Sequence, residues 1–401
     1  MIRSTLRLYR HAYSGLTKRI WLLSVVMFIN RIGTMVLAFM TLYCSHLGYT
    51  LQQGGLVVAI YGIGSVTGAF IGGKISDKFG FYYTQFAALF FGGILFILLG
   101  QMNTYLSICI CTFFLSTVNE SFRPANATAI AHYSSKENRT QSFSLVRLAI
   151  NLGFSAGTAI GGVLASINYK LLFWADGVTS MSAGILLLII LPKVSLAQQH
   201  AIVFSKNISA PKISPYRDKK FLYFLFFVVL FAVCFFQLFT TVPIFFKQEL
   251  SLNEFHIGVV MAYNGILIAL FEMVLVFKLE GKRAYLVLMR YGTILMGISF
   301  LLLNLPLASG FAIAMIALTV LTVAEMISMP FMNSYYISRS SEQSRGQYAG
   351  LYTMAWSAAQ VIGSTTGTAI ADRFGFANLW LIIFFVCLLA ASGYYWLQRR
   401  S

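Results

Sequence analysis

Six ionisable side chains, Arg31, Glu120, Arg123, Asp176, Glu272 and Glu325, lie inside long runs of apolar residues. A charge near the centre of a bilayer costs about 2.5–3.5 kcal/mol even on the gentler insertion scale, so such residues pair, face water or exchange protons. A carboxyl group passing between an apolar and a cationic neighbourhood can take up and release a proton. Glu120 and Arg123, three residues apart, share a helix face and can bond to each other or to neighbours. Arg31, near the midpoint of the first apolar run, is expected to face a cavity, and Glu325 to serve there as a proton or cation site. Glu272 falls near the end of its run, where water is within reach. Asp176 reads as a solvated residue near a span end, Arg147 as a gate or headgroup contact, Arg290 as a snorkelling arginine and His132 as an interfacial one.

Other chemistries lack their residues. No HExxH motif and no phosphate loop occurs, so an enzyme is not expected. Gly62-x-Gly64 sits inside an apolar run with no strand before it and is not a dinucleotide fingerprint. The five cysteines (Cys44, Cys109, Cys111, Cys234, Cys387) have neither paired loop spacing nor nearby histidines, which points to small buried hydrophobes and no metal. Net charge is +17, but the basic residues occupy short connections between apolar runs, which argues for topology signals and against nucleic acid.

The elements that position these residues follow from hydropathy. Of 401 residues, 58% are hydrophobic and 10% charged, which excludes an ordinary soluble fold. The long unbroken runs exclude an alternating β-barrel pattern and predict an all-α polytopic membrane protein. Windows at 20–44, 55–75, 84–101, 105–131, 143–166, 171–191, 219–246, 255–278, 284–304, 309–335, 347–370 and 377–398 predict twelve spans. The first continues without a small-residue cleavage site and reads as a span, not a signal peptide. The expected organisation is an N-tail (1–19), a six-helix bundle (20–192), a linker (193–218), a second bundle (219–398) and a C-tail (399–401). Lys and Arg crowd the N-tail, the loops after even-numbered spans, the linker and the C-tail, while Lys170, Lys247 and Arg373 stand on the other side. By the positive-inside rule both termini are cytoplasmic. Four Asn-x-Ser/Thr matches (Asn119, Asn126, Asn138, Asn207) fall in spans or on that side and carry no glycosylation reading.

An internal repeat divides the chain six plus six. An offset of 206 residues superposes Pro124 on Pro330, Arg139 on Arg345, Gly157 on Gly363, Gly161 on Gly367 and Trp174 on Trp380. It also brings Arg31 onto Gln237 and places Glu120 one residue from Glu325. Two parallel halves imply a pseudo-two-fold axis along the membrane normal with a site between them.

The loop after span 2, Gly72-Gly73-Lys74-Ile75-Ser76-Asp77-Lys78-Phe79-Gly80, resembles the signature loop of the major facilitator superfamily, with Phe81-Tyr82 replacing its last two basic residues. Gly73 and Gly80 allow a tight reversal, Asp77 can meet a helix N-terminus, and Lys78 can meet an acceptor at a helix end. Span 5 carries Gly153, Gly157, Thr158, Gly161 and Gly162, similar to that superfamily's antiporter motif with Thr158 in place of proline. Its small-residue stripe matches one at Gly64, Gly68 and Gly72 in span 2, so these two spans are expected to pack together. With Glu325-x4-Pro330, Arg345-Gly346-Gln347-Tyr348-x-Gly350-Leu351-Tyr352 and Trp356, the whole chain resembles twelve-span drug/proton antiporters of the superfamily. Arg123-Pro124-Ala125-Asn126 and Ile150-Asn151-Leu152-Gly153 are similar to pieces of proton-dependent oligopeptide transporters, but the Glu-x-x-Glu-Arg motif of that family is absent from span 1.

The resemblance implies the superfamily fold, two pseudo-symmetric six-helix bundles whose spans 1, 4, 7 and 10 surround a cavity. On that frame Asn30, Arg31, Tyr61, Glu120, Asn151, Gln237, Tyr263, Asn264, Glu325, Tyr352 and Trp356 are the expected substrate contacts. Glu120, Glu325, Arg31, Arg123 and Glu272 are the expected proton-coupling residues, with Glu120 or Glu325 pairing with Arg31, Arg123 or a cationic substrate. The implied activity is proton-coupled export of a small amphipathic solute, or alternatively uptake of short peptides or another small solute. A proton gradient would supply the energy without a cofactor, and the expected setting is a monomer in the lipid bilayer of a bacterial inner membrane.

Overall fold

The computed structural model describes residues 9–193, 214–305 and 309–400. Most of the linker therefore lies outside the described residues, as do the first eight residues and the last. Among the described residues there is no strand. Six of the helices begin where a polar side chain precedes an apolar run and its oxygen satisfies an orphan N–H of the first turn. Thr17 caps α1 (Lys18–Ile32), Thr104 caps α5 (Tyr105–Glu120) and Asn253 caps α11 (Glu254–Leu279). Thr50 and Gln53 form a capping box at α3 (Leu51–Phe79). The others are α2 (Val36–His46), α4 (Phe81–Leu99), α6 (Phe122–Tyr133), α7 (Arg139–Ile167), α8 (Lys170–Ile190), α9 (Lys219–Phe235), α10 (Thr241–Gln248), α12 (Tyr285–Leu302), α13 (Gly310–Arg339) and α14 (Arg345–Arg399).

Ten helical stretches among the described residues are long and apolar enough to cross a membrane. The last has 55 residues and would be about 80 Å long if straight, far more than a bilayer needs. It doubles back at Gly375, whose φ of 80° and ψ of 163° are not helical. Both of its ends accordingly meet one region: the Tyr348 hydroxyl donates to Asp218, and the Lys220 ammonium donates to the Arg400 carbonyl. Span 1 is a helix pair, α1 and α2, broken at Gly33–Met35, and completes twelve. Spans 4 and 7 are broken as well, at Ser121 and at the 3-10 turn Phe236–Phe239 between α9 and α10.

Glycines set the closest approaches within each half. A Cβ at Gly64, Gly68 or Gly72 of α3 would fall 1.8–2.5 Å from Ser116, Thr117 or Ser121 of span 4. Gly153 and Gly157 of α7 instead abut Phe28, Arg31 and Ile32 of α1, and Gly161 abuts Met35. The two stripes thus serve different partners, and spans 2 and 5 do not pack on each other through them. Matching glycines in a sequence find whichever neighbour the bundle supplies, so stripe-to-stripe pairing was the wrong inference. Gly162 faces open space, and Thr158 is described only as part of the helix backbone.

The halves join over the end that carries Lys74, Lys78, Lys136, Arg139, Lys282 and Arg399, here called the basic face. Ser65 and Ser357 meet at 3.1 Å near the middle of α3. Towards the basic face Gly73 lies against Gly346 and Gly350, and Thr140 meets Ser334 at 2.6 Å. Further from that face Gly55 of α3 and Gly258 and Gly265 of α11 front open space.

Candidate functional site

Three polar clusters lie along this join. In the first, Arg147, in the third turn of α7, reaches across to the other half. Its Nη1 is 2.7 Å from Glu272 Oε2 on α11, and its Nη2 is 2.8 Å from Glu325 Oε2 on α13. Asn264 donates to Glu325 Oε1 at 3.1 Å and to the Thr322 hydroxyl at 2.8 Å, while Tyr263 meets Thr319 at 3.2 Å. Glu272 and Glu325 are each only 2% exposed. Two carboxylates and one guanidinium leave a single negative charge on largely buried groups, and one proton would cancel it.

The second cluster belongs to the first half. Glu120 pairs with Arg123 at 2.7 Å, the Tyr61 hydroxyl donates to Glu120 at 3.4 Å, and Asn119 donates to that hydroxyl at 3.4 Å. Arg31, in the last turn of α1 beside the break in span 1, has its Nε buried with no hydrogen-bond partner. The third cluster is the loop after span 2. Asp77 accepts from the backbone N–H of Gly346 at 2.7 Å and of Gln347 at 2.9 Å, where the first turn of α14 offers unpaired donors. Gly80 has φ 89° and connects α3 directly to α4.

Several expectations are corrected. Glu272 touches Arg147, not solvent, because α7 of the other half covers the end of α11 there. Arg147 is no headgroup contact; its position near a span end concealed two carboxylates that are distant in sequence. Glu325 pairs with Arg147 and not with Arg31 or Arg123, since Arg123 is taken by Glu120 across the break in its own span. Asp176 is fully buried, and its carboxylate accepts from the N–H of Met35 (3.0 Å) and Val36 (2.8 Å), capping α2 where span 1 is broken. Lys78 is exposed with its ammonium over the Phe79 ring, not at a helix-end acceptor. Gln237 is spent internally: its amide donates to the carbonyls of Val233 and Gly363 and accepts from Thr241, which stabilises the turn between α9 and α10. Tyr352 and Trp356 belong to an aromatic cluster, Tyr352 stacked on Tyr336 at 4.5 Å and Trp356 among Phe231, Phe235 and Phe236. Asn30 is buried on α1, and Asn151 is partly exposed one turn beyond Arg147 on α7. Arg290 packs against the rings of Tyr291 and Tyr395. The gate reading of Arg147 agrees with this position across the join, and what sequence reasoning missed was its pairing with Glu272 and Glu325; a cation inside an apolar window, in a chain with two unmatched intramembrane glutamates, was the available signal.

The sequence matches the Major Facilitator Superfamily family over residues 20–364. It is 24% identical to an uncharacterized MFS-type transporter of Methanocaldococcus jannaschii, covering 91% of this chain and 94% of the relative. It is also 24% identical to a Na(+), Li(+), K(+)/H(+) antiporter of Planococcus maritimus, covering 92% and 93%. Multidrug resistance protein 2 of Bacillus subtilis is 22% identical, covering 79% and 80%. Among solved structures, a bacterial homologue of the iron transporter ferroportin in an outward-facing state superposes with a TM-score of 0.70 at 15% identity, over 96% of this chain and 100% of that one. Twelve spans in two joined halves, together with a family match across most of the length, establish that this multi-pass membrane protein belongs to the Major Facilitator Superfamily of transporters.

Proposed function

We propose that this chain is a proton-coupled antiporter that exports a small amphipathic solute by rocking its two halves around a midplane site. The observation that carries the reading is Arg147 of one half wedged between Glu272 and Glu325 of the other. Charges buried at a join that must open need a way to change partner. Protonating one carboxylate removes one of the two attractions that hold Arg147, so the clamp weakens as the proton binds. On the positive-inside rule the basic face is cytoplasmic, and this conformation, joined at that face, is outward-facing. A proton arriving from outside would then release the join and allow the inward-facing state, from which the proton leaves and solute is taken up. The names of the Planococcus and Bacillus relatives support an antiporter and a drug-like substrate. The groups around Glu325 are Arg147 from α7, Glu272 and Asn264 from α11 and Thr322 from α13, all within one chain, and we propose a monomer that uses no cofactor.

The test is proteoliposomes with an internal pH dye under an imposed proton gradient, with norfloxacin (an aromatic drug bearing a carboxylate), dialanine or Na+ added in turn. Proton movement triggered by norfloxacin, lost in Glu325→Gln and reduced in Glu272→Gln, is expected. Movement triggered by dialanine alone would assign peptide uptake instead, and movement unchanged in both variants would remove these carboxylates from coupling.

A further inference from the structure

Arg31 is a cation that forms no ion pair. No hydrogen bond or ion pair joins its guanidinium to another side chain among the described residues, and its Nε is buried with no partner. The buried carboxylates of its own half are spent: Glu120 on Arg123 and Tyr61, and Asp176 on the Met35 and Val36 N–H groups. Two arginines against one glutamate leave this cluster one positive charge in excess, the opposite of the Arg147 cluster. Snorkelling offers no escape, because Arg31 lies 13 residues, about 20 Å of helix, from the start of α1 and beside the break in span 1. A lipid headgroup at either face is out of reach for the same reason.

The internal repeat supplies a comparison. Gln237 stands where Arg31 stands in the other half, and Gly363 where Gly157 stands. In the second half the polar side chain is fully satisfied by the fold, with Gln237 donating to the Gly363 carbonyl at 2.8 Å. In the first half only backbone and Cβ atoms meet there, Gly157 against the Arg31 and Ile32 carbonyls and Gly153 against the Arg31 Cβ. The same position can thus be a closed structural bond, yet Arg31 does not make one. An unpaired guanidinium offers paired donors that match a carboxylate.

Resting on the transporter reading above, we propose that Arg31 holds an anionic group of the solute, so that the substrate class is an apolar body bearing a carboxylate. The carboxylate end sits in the first half. Arg147 lies six residues along α7 from Gly153, about 9 Å of helix, so the proton-binding cluster adjoins the solute site without sharing its arginine.

The test is equilibrium binding of dansylglycine and of its primary amide, dansylglycinamide, to the purified full chain in detergent, read by dansyl fluorescence with protein-free micelles subtracted. The acid is expected to bind about tenfold more tightly than the amide, in line with a hydrogen bond to a charged group. Arg31→Gln should bring the two to within about twofold while leaving the amide unchanged, and Arg31→Lys should keep part of the preference. Equal binding of acid and amide to the unaltered protein, binding of neither, or a preference that survives Arg31→Gln would overturn the proposal. The comparison of two ligands on the unaltered protein decides the matter even where Arg31→Gln fails to fold. No gradient is involved, so a failure of proton coupling leaves this result standing, and the reverse holds too.

Discussion

Arg147 on α7 lies 2.8 Å from Glu325 on α13, an ion pair between residues 178 positions apart that joins the two halves of the molecule. Glu272 completes it from α11 at 2.7 Å. Removing the arginine strands two buried carboxylates, whereas removing one carboxylate leaves a complete pair. Breaking a buried pair from one side costs about 3–5 kcal/mol. Arg147→Gln should therefore lower the thermal unfolding midpoint in detergent far more than Glu325→Gln does, and adding Glu272→Gln and Glu325→Gln to Arg147→Gln should recover part of the loss. Equal midpoints for Arg147→Gln and the unaltered protein would contradict the buried cluster.

Asp77 holds the start of α14 with both carboxylate oxygens, 2.7 and 2.9 Å from two backbone N–H groups. An asparagine has one acceptor oxygen, so Asp77→Asn leaves one donor at the end of α14 unpaired and removes the charge that complements the helix N-terminus, a loss of about 1–3 kcal/mol. The Ser65 and Ser357 hydroxyls, 3.1 Å apart, provide the readout. A Ser65→Cys, Ser357→Cys pair should form a disulfide readily under mild oxidation, and Asp77→Asn should slow it severalfold. An unchanged rate would mean that Asp77 does not hold the halves together.

Two glycines on one helix separate packing from composition. A methyl group at Gly73 would stand 2.6 Å from the Gly346 carbonyl, so Gly73→Ala must push the halves apart at the basic face. At Gly55 the same group meets nothing within 4 Å, and alanine there also gains helix propensity of about 0.8–1 kcal/mol. Gly73→Ala is expected to reduce transport and slow the Ser65–Ser357 cross-link, with Gly55→Ala neutral or slightly stabilising. Loss of both activities to the same degree would refute the close crossing of α3 and α14.

What the sequence disclosed divides along a physical line. Bilayer thickness fixes span length, so the apolar windows locate the helices, and the 206-residue repeat locates the two halves. Breaks inside spans were not visible, because Gly33–Met35, Ser121 and Phe236–Phe239 carry no proline or charge to mark them. Asp176 read as solvated because a span-end carboxylate is ordinarily wet, whereas its partners are backbone N–H groups freed by one such break. Local pairs were legible, as Glu120 and Arg123 three residues apart demonstrate. Pairs between halves were not, since hydropathy and spacing assign no partner to Arg147 across 125 and 178 residues.

Asp218, just before α9, ties the end of the linker to the second half and gives a pH dependence outside the membrane spans. Arg339 donates to its carboxylate at 2.8 Å, the Tyr348 hydroxyl at 3.0 Å and the Phe221 N–H at 3.1 Å. Burial pushes this carboxyl up, but the hydrogen bonds and charge of Arg339 and the other donors outweigh it and hold the group below its ordinary value. A depressed folded value means that the contribution to stability is complete above the unfolded value of about 3.9 and is lost as pH falls towards the folded one. At neutral pH Asp218→Asn should cost about 1.5–3 kcal/mol, as expected for hydrogen bonds to a charged group. The gap in unfolding midpoint between the two proteins should stay constant from pH 7 to about pH 5 and narrow below about pH 4. A gap that instead widened on acidification would mean that the Asp218 carboxyl is held protonated, and that Arg339 does not pair with it.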